Sequence, residues 1–182
     1  MRALRTSTTL GWAVLVIAAY LTPLEALAGT DTAKRCPEPL PSSVTVNVKS
    51  KGAKGDGQAD DTAAIQAAID TVAKGGTVLV PDGTYMVSTL PRGTVRLKSD
   101  MVLKLAPRAV LTAIPSNQKR VALLRISNAS NVIVVGGTLQ GQRNKLQEAP
   151  GLGMGIRIDN GASKISILNV TANDMWGDGF YI

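Results

Sequence analysis

An internal repeat constrains this chain more than any other feature. Residues 124–138 read Leu-Arg-Ile-Ser-Asn-Ala-Ser-Asn-Val-Ile-Val-Val-Gly-Gly-Thr, and a second copy runs from 156 to 171. From Ala129 onward the copies align at an offset of 33 residues, with Ala129 over Ala162 and Thr138 over Thr171. A fainter third copy, Val95-Arg96-Leu97-Lys98-Ser99-Asp100-Met101-Val102-Leu103, precedes them. Each copy holds short aliphatic runs separated by polar turn residues. No copy is long enough to bury its own apolar face, so copies must stack to make a common core. The expected fold is therefore all-β, a solenoid of coils paired by parallel strands. In it, Val132 and Val134 stack on Ile165 and Ile167 at about 4.8 Å per coil.

Composition agrees with this. Hydrophobic residues make up 45% of the 182-residue chain but aromatics only 3%, with 18 glycines. Small aliphatics and tight turns suit stacked short strands. The scarcity of aromatics also argues against nucleic acid as a partner, because bases need rings to stack on. The net charge of +7 is compatible with an anionic polymer.

The first 28 residues read as a signal peptide. Arg2 and Arg5 precede an apolar stretch from Leu10 to Leu21, Pro23 breaks it, and Ala26-Leu27-Ala28 is a small-residue cleavage site. The apolar run falls short of the roughly 20 residues that span a bilayer. The mature chain is expected to start near Gly29, to be secreted or periplasmic, and to have no membrane association after signal removal. Residues 29–43, with Pro37, Pro39 and Pro41, form a linker, and the lone Cys36 reads as a free thiol. The folded domain is then 44–182.

That domain opens with the strand pattern Val44, Val46, Val48 and a glycine-rich turn over 51–57. The turn lacks the Gly-Lys-Ser/Thr ending of a phosphate-binding loop, so its role is structural. Ile65, Ile69 and Val72 predict an amphipathic helix over 62–74, capped by Asp61 and terminated by Gly75-Gly76. Arriving before the coils, this helix is placed to cover their open end and block edge pairing. Asn128-Ala129-Ser130 and Asn169-Val170-Thr171 match the glycosylation sequon but lie inside the repeat.

The segments Gly52-Ala53-Lys54-Gly55-Asp56-Gly57, Asp60-Asp61-Thr62-Ala63-Ala64-Ile65-Gln66-Ala67-Ala68-Ile69, Gly75-Gly76-Thr77-Val78 and Pro81-Asp82-Gly83-Thr84-Tyr85 carry a family likeness. Together they resemble the N-terminal signature of the pectate-lyase-superfamily domain. That domain occurs in rhamnogalacturonases, polygalacturonase-like glycoside hydrolases, mannuronan epimerase-like proteins and some phage tail spikes. The likeness extends over about 44–182 and implies a right-handed parallel β-helix with an N-terminal capping α-helix.

Gly136-Gly137-Thr138-Leu139-Gln140-Gly141 is similar to the polygalacturonase stretch Gly-Gly-Thr-Ile-Asp-Gly, with Gln140 where that stretch has Asp. Trp176-Gly177-Asp178-Gly179-Phe180-Tyr181-Ile182 resembles Asn-Thr-Asp-Gly-Ile-Asp-Ile, with Tyr181 in place of its second acid. The resemblance makes Asp178 the catalytic carboxylate; Asp174, Arg157 and Trp176, an acid, a cation and a ring able to stack on a sugar, are the candidate substrate-binding residues. The implied function is exported action on an acidic polysaccharide, by polygalacturonase-like hydrolysis. The alternatives are a polysaccharide lyase or C5-epimerase, and a non-catalytic glycan-binding β-helix. A hydrolase of this kind needs no cofactor, whereas a lyase or epimerase admits calcium; the sequence holds no histidine and no metal-ligand cluster. Inverting hydrolysis needs a second carboxyl group roughly 6.5–9.5 Å from the first. With its strand pattern ending just after Asp178, the chain is expected to be an N-terminal portion of such a protein, inactive alone.

Overall fold

The computed structural model describes residues 44–90, 94–145 and 153–182. The expected signal peptide and linker, and Cys36, lie outside the described residues. The chain runs through β1 (Thr45–Asn47), β2 (Asp56–Asp60), α1 (Thr62–Thr71), β3 (Thr77–Val80), β4 (Gly83–Val87), β5 (Val95–Leu97) and β6 (Met101–Leu105). It continues through β7 (Ala109–Ala113), β8 (Val121–Ser127), β9 (Ser130–Val135), β10 (Thr138–Gln140), β11 (Gly153–Asp159), β12 (Ser163–Leu168), β13 (Thr171–Asn173) and β14 (Phe180–Tyr181).

These strands deal themselves in turn to three parallel sheets. Sheet A is β1-β3-β6-β9-β12, sheet B is β2-β4-β7-β10-β13, and sheet C is β5-β8-β11-β14. Three strands make one coil, and the coil is right-handed, the hand that parallel crossovers adopt. The register matches the repeat: Val132 pairs with Ile165 and Val134 with Ile167, and Thr138 pairs with Thr171. The two copies differ in length by one residue, taken up at the corner Asn160–Gly161 between β11 and β12, where Gly161 has φ +75°.

Alternation along each strand sends every second side chain inward. Leu103, Leu111, Leu124, Ile126, Leu139 and Ile156 are all fully buried in one continuous core. Each contributes about 2 kcal/mol relative to an exposed position. The corners need left-handed backbone, and Asp100, Asn128, Asn131, Asn160, Asn169 and Asp174 supply it with φ between 51° and 59°. Asx residues tolerate this conformation because their short side chains bond locally. Both sequon asparagines are thus corner residues. Gly137 is more constrained: its φ is +67°, and a Cβ there would lie 2.5 Å from Leu105 Cβ.

In the first coil α1 stands where the third strand belongs, so sheet C starts at β5 with an open edge. Gln66 on α1 closes that edge. Its side-chain Nε2 donates to the Arg96 carbonyl (3.2 Å), and its Oε1 accepts from the Arg96 N–H (2.8 Å). One primary amide thereby serves both backbone groups that a neighbouring strand would have served. Lys98 Nζ in turn donates to the carbonyls of Asp70 and Val72 at the helix C-terminus (3.0 and 2.7 Å). The helix is three residues shorter than the pattern predicts, because Val72 is already extended (φ −62°, ψ 134°).

The start of α1 also departs from expectation. Asp61 occupies the cap position, but its carboxylate makes no cap bond to the helix. It is buried instead, accepting from the N–H groups of Lys54 (2.6 Å) and Gly55 (3.0 Å) and so closing the glycine-rich turn. Asp60 does the local work, accepting from the N–H of Thr62 (3.0 Å) and from its hydroxyl. Gly55 is required here, because a Cβ would lie 2.7 Å from Tyr85 Cζ.

Two stability tests follow. Gln66→Ala leaves the Arg96 edge groups without their side-chain partner and is expected to lower the unfolding free energy by about 1–3 kcal/mol in urea titration. Gly137→Ala is expected to cost more than about 1 kcal/mol in the same assay, since both its φ and its surroundings exclude a side chain.

Candidate functional site

The outer face of sheet C carries a column of like charges. In Val95-Arg96-Leu97, Leu124-Arg125-Ile126 and Ile156-Arg157-Ile158 the flanking aliphatics are buried, so strand alternation turns each arginine outward. The register stacks them: Arg96 pairs with Arg125, Arg125 with Arg157, and Arg157 with Tyr181. Neighbours in such a column stand about 4.8 Å apart.

Three stacked guanidiniums repel one another, and a single carboxylate relieves the strain between two of them. Asp159 takes Arg125 Nη2 at 3.0 Å and Arg125 Nε at 3.4 Å. It also forms an ion pair with Arg157 Nε at 2.8 Å. Burial opposes ionisation of Asp159, but the hydrogen bonds from Ser127 and Arg125 and the charges of Arg125 and Arg157 outweigh it, and the carboxyl is held below its ordinary range. Arg157 also lies over the ring of Tyr181, with Cζ 6.0 Å from the centroid.

Recesses adjoin the column on this side of the coil. Arg120, Met154, Arg157 and Tyr181 surround a small pocket of about 30 Å³. Arg96, Leu97, Arg125, Ser127 and Asn128 line a second, of about 230 Å³. The second shares Arg96, Leu97, Ser127 and Asn128 with an open groove of about 840 Å³ that reaches α1 at Thr62, Gln66 and Asp70. The face is thus a shallow trough of adjoining recesses lined by hydroxyl, amide and guanidinium groups, with Lys98 and the carboxylates of Asp60 and Asp70 in its open groove. Its chemistry is that of a polyanion site with polar contacts beside it.

The residues singled out from sequence fall in different places. Arg157 sits in the trough. Asp178 is exposed on the loop leading into β14, beside sheet C, and its carbonyl accepts from the Gly155 N–H (3.2 Å). Asp174 does not reach the trough. It is a left-handed corner residue after β13, with its carboxylate accepting from Gln140 Nε2 (2.7 Å) and its carbonyl from the Arg143 N–H (3.0 Å). Trp176 lines a separate, mostly apolar cavity with Val121, Leu123 and Met175, and its indole N–H has no partner among the described residues. Arg96, Arg120, Arg125, Asp159 and Tyr181 were not singled out from the sequence. The signal was present, since each copy of the repeat has an arginine between two aliphatics. Among the described residues no three of His, Cys, Asp and Glu gather to hold a metal ion, and no helix is long and apolar enough to cross a membrane.

Residues 45–103 match the family model described as rhamnogalacturonase A/epimerase, pectate lyase-like. Alginate lyase 7 of Azotobacter vinelandii is 66% identical over 44 residues, which is 23% of this chain and 5% of that one. An Arabidopsis thaliana exopolygalacturonase, clone GBGA483, is 43% identical over 76 residues, or 38% of this chain and 17% of that one. Among solved structures, the A-module of the Azotobacter vinelandii mannuronan C-5 epimerase AlgE4 superposes with a TM-score of 0.65 at 28% identity, covering 75% of this chain and 42% of that one. The chain spans less than half the length of each. Its three coiled parallel sheets make the chain a right-handed parallel β-helix, and its opening segment is similar to that of pectate-lyase-like proteins.

Proposed function

We propose that this chain is the polysaccharide-engaging part of an exported carbohydrate-active β-helix, and that the trough on sheet C takes an acidic polysaccharide. The observation that carries the reading is the in-register column of Arg96, Arg125 and Arg157 ending at Tyr181. A linear polymer of acidic sugars repeats its anionic groups along its length, and the column offers it repeated cations on one face. The alginate lyase, the mannuronan epimerase and the exopolygalacturonase that this chain resembles support the reading by their names.

Two reaction classes fit the superfamily. Hydrolysis has Asp178 as one carboxyl group and needs a second. The carboxylate within the arginine column, Asp159, is already held by Arg125 and Arg157. Lyase or epimerase chemistry is favoured by a specific observation, the guanidiniums and the Tyr181 ring on one face. Taking a proton from the carbon beside a sugar carboxylate requires that carboxylate to be neutralised and a group to move the proton. Arginine meets the first need. Calcium, which takes six to eight oxygen ligands, does not fit the described carboxylates, because they do not gather. No step is therefore routed through it.

Two outcomes are expected. In affinity electrophoresis at low salt, polygalacturonate or polymannuronate retards the chain, a carboxyl-reduced polymer does not, and retardation disappears near 1 M salt, where screening is nearly complete. Arg125→Met weakens this binding about tenfold. Equal retardation by the reduced polymer, or none by either uronan, would defeat the proposal. Export is checked by N-terminal sequencing of the secreted or periplasmic product, which is expected to start at Gly29.

A further inference from the structure

We infer that Arg120, Met154, Arg157 and Tyr181 form a subsite for a single uronate residue, and that Asp159 is the positioning residue that aims Arg157 at its carboxylate. The inference rests on the acidic-polysaccharide reading and adds a location and a recognition mechanism to it.

Arg157 differs from its neighbour in the column in how its nitrogens are engaged. Arg125 gives both Nε and Nη2 to Asp159. Arg157 meets Asp159 through Nε alone, and its two terminal nitrogens make no hydrogen bond among the described residues. Asp159 lies 2.8 Å from its inner nitrogen, an ion pair without an aligned hydrogen bond, and the Tyr181 ring lies under it, so charge and ring together place the guanidinium before any ligand arrives. The side chain is 29% exposed, enough for the outer fork to be reached. A planar fork with two parallel donors matches a carboxylate in bidentate fashion, which an ammonium does not.

The rest of the pocket suits the sugar that carries the carboxylate. The exposed Tyr181 ring presents aromatic surface to the C–H face of a pyranose, the buried Met154 lines the recess beside it, and Arg120 adds a second cation at the rim. The volume of about 30 Å³ is that of a shallow recess. It fits a carboxylate group with the ring resting above, and excludes burial of a whole sugar.

The test is calorimetric titration of the full chain with galacturonate and mannuronate oligomers and with their carboxyl-reduced counterparts. Arg157→Lys is expected to lower uronate affinity at least tenfold and leave the weak binding of the reduced oligomers unchanged. Asp159→Asn is expected to lower uronate affinity comparably, with partial recovery in Asp159→Glu. The double variant Arg157→Lys/Asp159→Asn should bind no more weakly than Arg157→Lys alone, because the aim of a missing fork has no value. Unfolding midpoints of each variant separate lost aim from lost fold. If the wild type binds no uronate oligomer, the broader reading fails and takes the inference with it. If it binds and responds to Arg125→Met but not to Arg157→Lys, the reading stands and the subsite is wrong. Tighter binding by Asp159→Asn would make Asp159 a competitor for the guanidinium rather than its positioner.

Discussion

The structure depends on parallel pairing in register from one coil to the next. That pairing turns a linear repeat into columns, so that residues far apart in sequence become neighbours at about 4.8 Å. Inside, the columns are Val, Leu and Ile, and they make one core from coils that could not fold singly. Outside, the same rule stacks whatever the repeat carries at its outward positions. On sheet C those positions carry arginine, so a site arises from the geometry that makes the fold.

Stacking like charges works against stability, and the chain answers this locally. Asp159 sits between Arg125 and Arg157, and Tyr181 continues the column with an aromatic ring in place of a fourth cation. At the other end of sheet C, Gln66 of α1 ties down the open edge of β5 at Arg96. The capping helix and the site are therefore mechanically linked. The strand that carries the first arginine is held by the helix that closes the coil.

Much of the fold was legible in the sequence because the repeat encodes register directly. Aligning Thr138 with Thr171 already states which residues pair, and the structure has that pair. The site was less legible. Leu-Arg-Ile and Ile-Arg-Ile state that an arginine points outward, but not that this sheet, of three, borders the grooves. Asp178, Asp174 and Trp176 share one glycine-rich stretch, yet they separate into a sheet border, a sheet B corner and an apolar cavity. Their turn lacks a fixed period, so its inward and outward positions follow from packing against Gly153, Gln140 and Met175 rather than from spacing. Asp61 shows the same limit: it stands where a helix cap belongs, but the turn at Lys54 and Gly55 claims its carboxylate.

The most direct test of this account is to observe the arginine side chains themselves. Nuclear magnetic resonance spectra of the Arg Nε–Hε groups, recorded during titration with a defined galacturonate or mannuronate oligomer, report which guanidiniums a ligand touches. The account expects the shifts to concentrate on Arg96, Arg125 and Arg157, with Arg108, at the corner between β6 and β7 and paired to Asp82, unmoved. Shifts spread evenly over all arginines, or centred away from sheet C, would contradict it.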